Sequence, residues 1–144
     1  MTRMTVRDWM TPDPVTVSPE TTMRLAQKIM LEHGFRRLPV VQHNRVVGIV
    51  THGDIREAEP SDASSLSIYE INFLVGKLDV KEIMTRRPVT VSPDAPIAVA
   101  AQLMLEHKIG GLPVVEGDRL VGIITETDIC RLLVEAPEPA LSAS

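Results

Sequence analysis

One cysteine, Cys130, stands in a chain of 144 residues. No intrachain disulfide can form, and one chain alone cannot build a cysteine-based zinc site. Aromatic residues are nearly as scarce, with one Trp, one Tyr and two Phe, so there is no ladder on which the bases of a single-stranded nucleic acid would stack. Lys and Arg number 15 against 19 Asp and Glu, for a formal net charge of −4, which removes any global pull toward nucleic acid or an anionic membrane. No apolar run approaches membrane-spanning length, and Met1-Thr2-Arg3-Met4-Thr5 lacks the apolar core of a signal peptide. A cytoplasmic chain without membrane attachment is expected. No Ser/His/Asp set, Cys/His pair or paired catalytic carboxylates recur in a constellation that could run chemistry. Gly48-x-x-Thr51 lacks the Lys of a phosphate loop. Catalysis, a metal site and a required cofactor are therefore not expected.

What is present is aliphatic and repeated. Hydrophobic residues make up 44% of the chain, so the core must be built from Val, Ile, Leu, Met and Ala. Residues 6–56 align with 80–130 at a constant offset of 74, without a gap and with close to half the positions identical. Met10-Thr11 matches Met84-Thr85, and Pro14-Val15-Thr16-Val17-Ser18-Pro19 matches the six residues from Pro88 to Pro93. Met30-Leu31-Glu32-His33 matches Met104-Leu105-Glu106-His107, and Leu38-Pro39-Val40-Val41 matches Leu112-Pro113-Val114-Val115. This is a duplicated unit.

Each copy predicts the same elements. Val15-Thr16-Val17 has the β-branched character of a short strand, and Ser18-Pro19 the signature of a helix N-cap followed by proline at the first helical position. Met23, Ala26, Ile29, Met30 and His33 recur at spacings of three and four, as do Ile97, Ala100, Leu103, Met104 and His107, giving an amphipathic helix. Gly34 is the expected C-cap of the first, with Lys108 in its place in the second. His33 and His107 fall in the last helical turn, where the dipole favours them and no metal or catalytic role is needed. A strand from Leu38 to Val41 then turns at His43-Asn44, or at Gly117-Asp118, into a second strand, and a hairpin is expected. The order per unit is β-α-β-β-α. Between the units, residues 57–65 are polar and contain Pro and Ser, and Ser67 with Glu70 frames a capping box. The linker helix that follows carries Ile68, Ile71, Leu74, Val75 and Leu78 as an apolar stripe for the core or a partner subunit. Residues 136–144 have the composition of a disordered tail.

The chain writes one stretch twice, Gly48-Ile49-Val50-Thr51-His52-Gly53-Asp54-Ile55 and Gly122-Ile123-Ile124-Thr125-Glu126-Thr127-Asp128-Ile129. Each runs from a buried strand into a helix, with Thr at the exit and Asp three residues on. Two readings remain open at this point. The pair can be a helix cap and nothing more. It can also be a ligand site, since α/β structures bind ligands where a carboxyl strand end meets a helix N-terminus, and a hydroxyl with a carboxylate suits the vicinal hydroxyls of a ribose.

Met-Thr before the first strand, Leu-Pro-Val-Val on the second and Gly-x-x-Thr-x-x-Asp after the third, occurring in order and twice, resemble the tandem CBS-domain pair, or Bateman module. The resemblance covers about residues 6–134 and extends to small stand-alone bacterial members, including the CBS portion of acetoin-utilisation-type proteins. It implies an α/β fold of the α+β type, in which two β-α-β-β-α units, related by pseudo-twofold symmetry, span residues 1–58 and 80–135. Residues 59–79 are the linker loop and helix. It also implies two clefts between the units for an adenosine-containing ligand: AMP, ADP, ATP or S-adenosylmethionine. In the family the motif Asp holds the ribose hydroxyls and its Thr contacts ribose or phosphate. Carried onto this sequence, these are Asp54 and Asp128, Thr51 and Thr125. Thr16, Thr90, Leu38-Pro39 and Leu112-Pro113 fall where the base is cradled. The resemblance further implies a homodimer formed through helices, and a regulatory module that passes the bound state to an effector protein.

The copies differ in charge. Arg36-Arg37 precede Leu38 and His52 follows Thr51, whereas Gly110-Gly111 precede Leu112 and Glu126 follows Thr125. Paired guanidiniums suit phosphate oxygens, and paired glycines admit close approach of a ligand without offering charge. Two rival functions remain: a dimerisation scaffold with empty clefts, and a nucleic-acid-binding regulator using Arg3, Arg7, Arg36, Arg37, Arg45, Arg86 and Arg87, against which the acidic total argues.

Overall fold

The computed structural model of the chain describes residues 4–59 and 67–135, without the side chains of residues 71, 72, 74 and 75. Most of the inter-unit loop, the tail 136–144, Arg3 and three members of the linker stripe (Ile71, Leu74 and Val75) therefore lie outside what is described. In chain order the elements are α1 (Val6–Trp9), β1 (Thr11–Pro12), α2 (Met23–His33), β2 (Arg37–Gln42), β3 (Arg45–Thr51), α3 (His52–Ala58) and α4 (Ile68–Val75). Then follow α5 (Val80–Ile83), β4 (Thr85–Arg86), α6 (Ile97–His107), β5 (Gly111–Glu116), β6 (Arg119–Thr125) and α7 (Glu126–Glu135).

Packing divides the described residues into two bodies, one of residues 15–59 with 67–88 and one of 4–14 with 89–135. The opening helix and Met-Thr pair of each repeat thus pack with the other repeat's hairpin. In the first body Lys81 N–H donates to Pro19 O at 3.0 Å, Val80 N–H to Thr21 O at 2.7 Å and Met23 N–H to Leu78 O at 2.8 Å. In the second, Arg7 N–H donates to Pro93 O at 2.8 Å, Val6 N–H to Ala95 O at 2.9 Å and Ile97 N–H to Met4 O at 2.7 Å. Val80 is fully buried in one aliphatic core with Met23, Met30, Leu38 and Ile55, and Val6 in the other with Ala100, Leu112, Ile124 and Leu132.

Each body carries an antiparallel sheet of the same design. β2 pairs β3, with Leu38 opposite Val50, and β4 runs along β3 with Thr85 opposite Ile49. β5 pairs β6, with Leu112 opposite Ile124, and β1 runs along β6 with Thr11 opposite Ile123. Here the motif glycines and the Met-Thr pairs explain each other. A Cβ on Gly48 would stand 2.5 Å from Met84 Sδ and 2.9 Å from Thr85 O, and one on Gly122 would stand 2.6 Å from Met10 Sδ and 2.9 Å from Thr11 O. Only a residue without a side chain lets β4 and β1 lie this close.

Two local expectations change. Val15–Val17 is no strand but a single parallel bridge from Val17 to Val40, because Pro14, Ser18-Pro19 and the turn beyond leave too few N–H donors for a ladder. The α2 helix does not begin at Ser18-Pro19. Ser18 closes a turn, its N–H donating to Thr21 Oγ1 at 3.0 Å, and Thr22 is the cap, its Oγ1 accepting from Leu25 N–H at 3.2 Å. The repeat follows suit, α6 starting at Ile97 behind Pro96. Of the linker stripe, Leu78 packs against the first core and Ile68 is 64% exposed. Other expectations hold. Gly34 caps α2 at φ 70°, Lys108 takes the same left-handed conformation at φ 54°, and the turn at His43-Asn44 has both residues at positive φ.

Candidate functional site

In both bodies the site is one strand end, assembled from segments distant in sequence. Thr51 closes β3 opposite Arg37, the first residue of β2. His52 N–H, opening α3, donates back to Arg36 O at 2.8 Å. Leu38 and Pro39 are buried, and Pro39 O accepts from Val17 N–H at 3.1 Å, which places Thr16, exposed, on the segment beside β2. The second body repeats this. Thr125 lies opposite Gly111, Glu126 N–H donates to Gly110 O at 3.0 Å, and Pro113 O accepts from Val91 N–H at 3.1 Å beside half-buried Thr90, with Leu112 and Pro113 buried. Each residue given above as a candidate ligand contact thus lies at one of two corresponding strand ends or on the segment beside it.

The Thr and Asp of each motif are hydrogen-bonded to each other, and in the first motif they form a reciprocal cap. Asp54 N–H donates to Thr51 Oγ1 at 3.1 Å while Asp54 Oδ2 accepts from Thr51 N–H at 2.8 Å. Asp128 Oδ2 accepts from Thr125 N–H at 2.9 Å and from the Thr125 hydroxyl at 3.3 Å. In each motif one carboxylate oxygen carries the cap. The second oxygen distinguishes the copies. Asp54 is half-buried and its Oδ1 has no partner among the described residues. Asp128 is 6% exposed, and its Oδ1 accepts from Arg131 Nη2 at 3.1 Å.

Arg131 was not among the residues singled out from the sequence. The same Nη2 donates to Trp9 O at 3.0 Å, Nη1 stands 3.8 Å from Glu135 Oε2, and the guanidinium lies 5.3 Å from the centroid of the Trp9 ring. Its signal in the sequence is the Asp-x-x-Arg spacing, which places both side chains on one helix face. The counterpart position in the first copy is Glu57. Among the described residues no group of three or more His, Cys, Asp or Glu could hold a metal, and no helix is long and apolar enough to cross a membrane.

Comparison with known proteins places this geometry. The CBS domain model matches residues 6–61 and again residues 80–135. The chain belongs to the CBS-domain family. This CBS pair is similar to an acetoin utilization protein (AcuB) from Vibrio cholerae, at 31% identity and a TM-score of 0.78 over 98% of this chain and 97% of that one. It is similar to the CBS domain pair of protein MJ0100, solved with 5'-methylthioadenosine and S-adenosyl-L-methionine, at 32% identity and a TM-score of 0.75 over 92% of this chain and 98% of that one. It is also similar to CBSX2 in complex with AMP, at 30% identity and a TM-score of 0.76, covering 92% and 97% of the two chains. Among sequence relatives, the chain spans 22–46% of the length of the first four it matches. Three of these carry enzyme names, a dehydrogenase, an acetyltransferase and a sulfurtransferase, and the CBS pair is the minor part of each.

Proposed function

We propose that this CBS pair is a non-catalytic sensor that binds an adenosine-containing ligand at its Thr-x-x-Asp strand ends and passes the bound state to a partner protein. One observation carries the reading: Asp54 caps α3 with Oδ2 alone and leaves Oδ1 without a partner among the described residues. A carboxylate that has satisfied its helix can still accept from a ribose hydroxyl, so capping and ligand contact are compatible roles for one residue. Support comes from two structural relatives of similar length, one with methylthioadenosine and S-adenosylmethionine and one with AMP.

On this reading Thr51 with Asp54, and Thr125 with Asp128, meet the ribose. Arg36 and Arg37 supply positive charge at the first strand end for a phosphorylated ligand, with the His52 ring beside them, and Gly110 and Gly111 make the second a site of backbone approach. Thr16, Leu38 and Pro39, with Thr90, Leu112 and Pro113, shape the base subsites. The protein is cytoplasmic and works as a homodimer. Exposed Leu31 on α2 and exposed Leu105 on α6, at 73% and 79%, each offer an apolar contact for a second copy. Signalling requires that the ligand bind two geometries of the protein with different affinities.

Calorimetric titration with AMP, ADP, ATP, S-adenosylmethionine and NADH tests this on the wild type, Asp54→Ala and Asp128→Ala. Saturable binding of one adenosyl compound, lost in one or both variants, is expected. Silence across the panel with the dimer intact would leave the Thr/Asp pairs as caps and the protein as a scaffold.

A further inference from the structure

At the hairpin end of β2 and β3, away from Thr51, the first body holds an open cavity of about 540 Å³. Its walls are regular structure: the Pro19-Glu20 turn, α5, β4 with Arg87 behind it, and the strand residues Gln42, Val46 and Val47. Lys81 N–H bonded to Pro19 O at 3.0 Å ties α5 to the turn, and Thr85 and Arg86 are paired to β3. Arg87 is held at φ 49°, in the left-handed region. The backbone that frames the cavity is therefore held by hydrogen bonds of the fold.

Its chemistry is two-sided. Val46, Val47 and Met84 supply apolar wall, and Lys81, Arg86 and Arg87 bring three cations against the single carboxylate of Glu20. Among the described residues none of the three cations enters an ion pair. The other repeat shows that this is not a requirement of the fold. At the offset of 74, Lys81 corresponds to Arg7, Arg86 to Pro12, Arg87 to Asp13, Glu20 to Asp94 and Gln42 to Glu116. Those positions hold one cation and three carboxylates, and Arg7 is spent on two of them, at 3.2 Å from Asp94 and 3.7 Å from Glu116. The same backbone frame is neutralised in one copy and left cationic in the other.

We propose that the cavity lined by Lys81, Arg86 and Arg87 binds a small phosphate monoester, with the phosphate among the three cations and an apolar body against Val46, Val47 and Met84. Arginine pairs with phosphate through two parallel N–H donors and lysine as a point charge. An apolar wall beside them favours an organic phosphate over the inorganic ion. The site is separate from the Thr-x-x-Asp ends and does not depend on what they bind.

Phenyl phosphate and inorganic phosphate are the probes, titrated into the full chain with amide chemical shifts as the readout. Phenyl phosphate should bind saturably, more tightly than inorganic phosphate, and shift the amides of Val46, Val47 and Met84. The double substitution Lys81→Gln/Arg86→Gln should weaken it by at least about tenfold. Glu20→Gln should tighten it. Removing the same charge elsewhere, in Lys108→Gln/Arg119→Gln, should leave it unchanged, as should Asp54→Asn/Asp128→Asn. The proposal is overturned by absence of saturable binding, by an affinity indifferent to Lys81→Gln/Arg86→Gln, or by an equal loss in the Lys108/Arg119 pair, which would mark diffuse charge attraction. Loss in Asp54→Asn/Asp128→Asn would assign the phosphate to the strand ends instead.

Discussion

Arg131 donates to Asp128 Oδ1 at 3.1 Å and so occupies the carboxylate oxygen that Asp54, its counterpart, leaves open. Two motifs identical in Thr and Asp are thus unlike in the one atom that a ribose would address. The second strand end is already neutralised by an arginine held on Trp9, and a ligand arriving there must displace or share that guanidinium.

Arg131→Ala should therefore free the second site. Titration with the adenosyl ligand is expected to show tighter binding at that site, or a second equivalent where the wild type shows one. The Arg131 side chain is 42% exposed, so the stability loss should stay near 1 kcal/mol or below. Glu57→Arg makes the converse test by placing an arginine three residues after Asp54, and it should weaken the first site. Unchanged binding in both variants would show that the Arg131 contact has no influence on occupancy.

Thr51→Ala and Asp54→Ala each remove half of a reciprocal cap, and each should cost about 1 kcal/mol. Thermal unfolding with and without ligand separates the two roles. Both variants lose the cap, whereas Asp54→Ala should also lose most of the ligand-induced shift in midpoint.

Gly48→Ala and Gly122→Ala should destabilise by about 1–3 kcal/mol through overpacking. The methionine sulfurs can move, but Thr85 O and Thr11 O, each 2.9 Å from the added carbon, belong to paired strands. Urea midpoints would report the cost. A loss near zero in both would mean that β4 and β1 are free to retreat.

Gly34 and Lys108 occupy the same left-handed position at φ 70° and 54° with different side chains. Lys108→Gly should stabilise by about 0.5–1 kcal/mol and Gly34→Ala destabilise by a similar amount. Opposite signs in paired denaturation curves are the expected outcome.

Leu31→Glu and Leu105→Glu place charge on exposed faces of α2 and α6 without touching either core. If these faces join two copies, light scattering should show monomer in place of dimer, with the adenosyl site still titratable. A dimer that survives both substitutions would place the interface elsewhere.

Periodicity and local chemistry were enough to locate much of this. Met23, Ala26 and Met30 announce α2 by spacing, Gly34 by its tolerance of positive φ, and the α3 start by Thr51 and Asp54 three residues apart, because each is an interaction between near neighbours in the chain. The duplication made the two-copy organisation readable without coordinates. Residues that meet across long separations were a different matter. That Met84-Thr85 lies on Gly48, and Met10-Thr11 on Gly122, follows from an exchange of opening segments between repeats, which no local pattern encodes. The same exchange holds Val80 and Val6 in cores their own repeats do not supply. The true start of α2 depended on Leu78 O, more than fifty residues away, taking the N–H of Met23. The inequality of Asp54 and Asp128 is local, Arg131 standing three residues on where the first copy has Glu57, but the same Nη2 also donates to Trp9 O, 122 residues away. Backbone propensity and side-chain period act within a turn or two of the chain; which surfaces then share a core is settled by packing between distant segments.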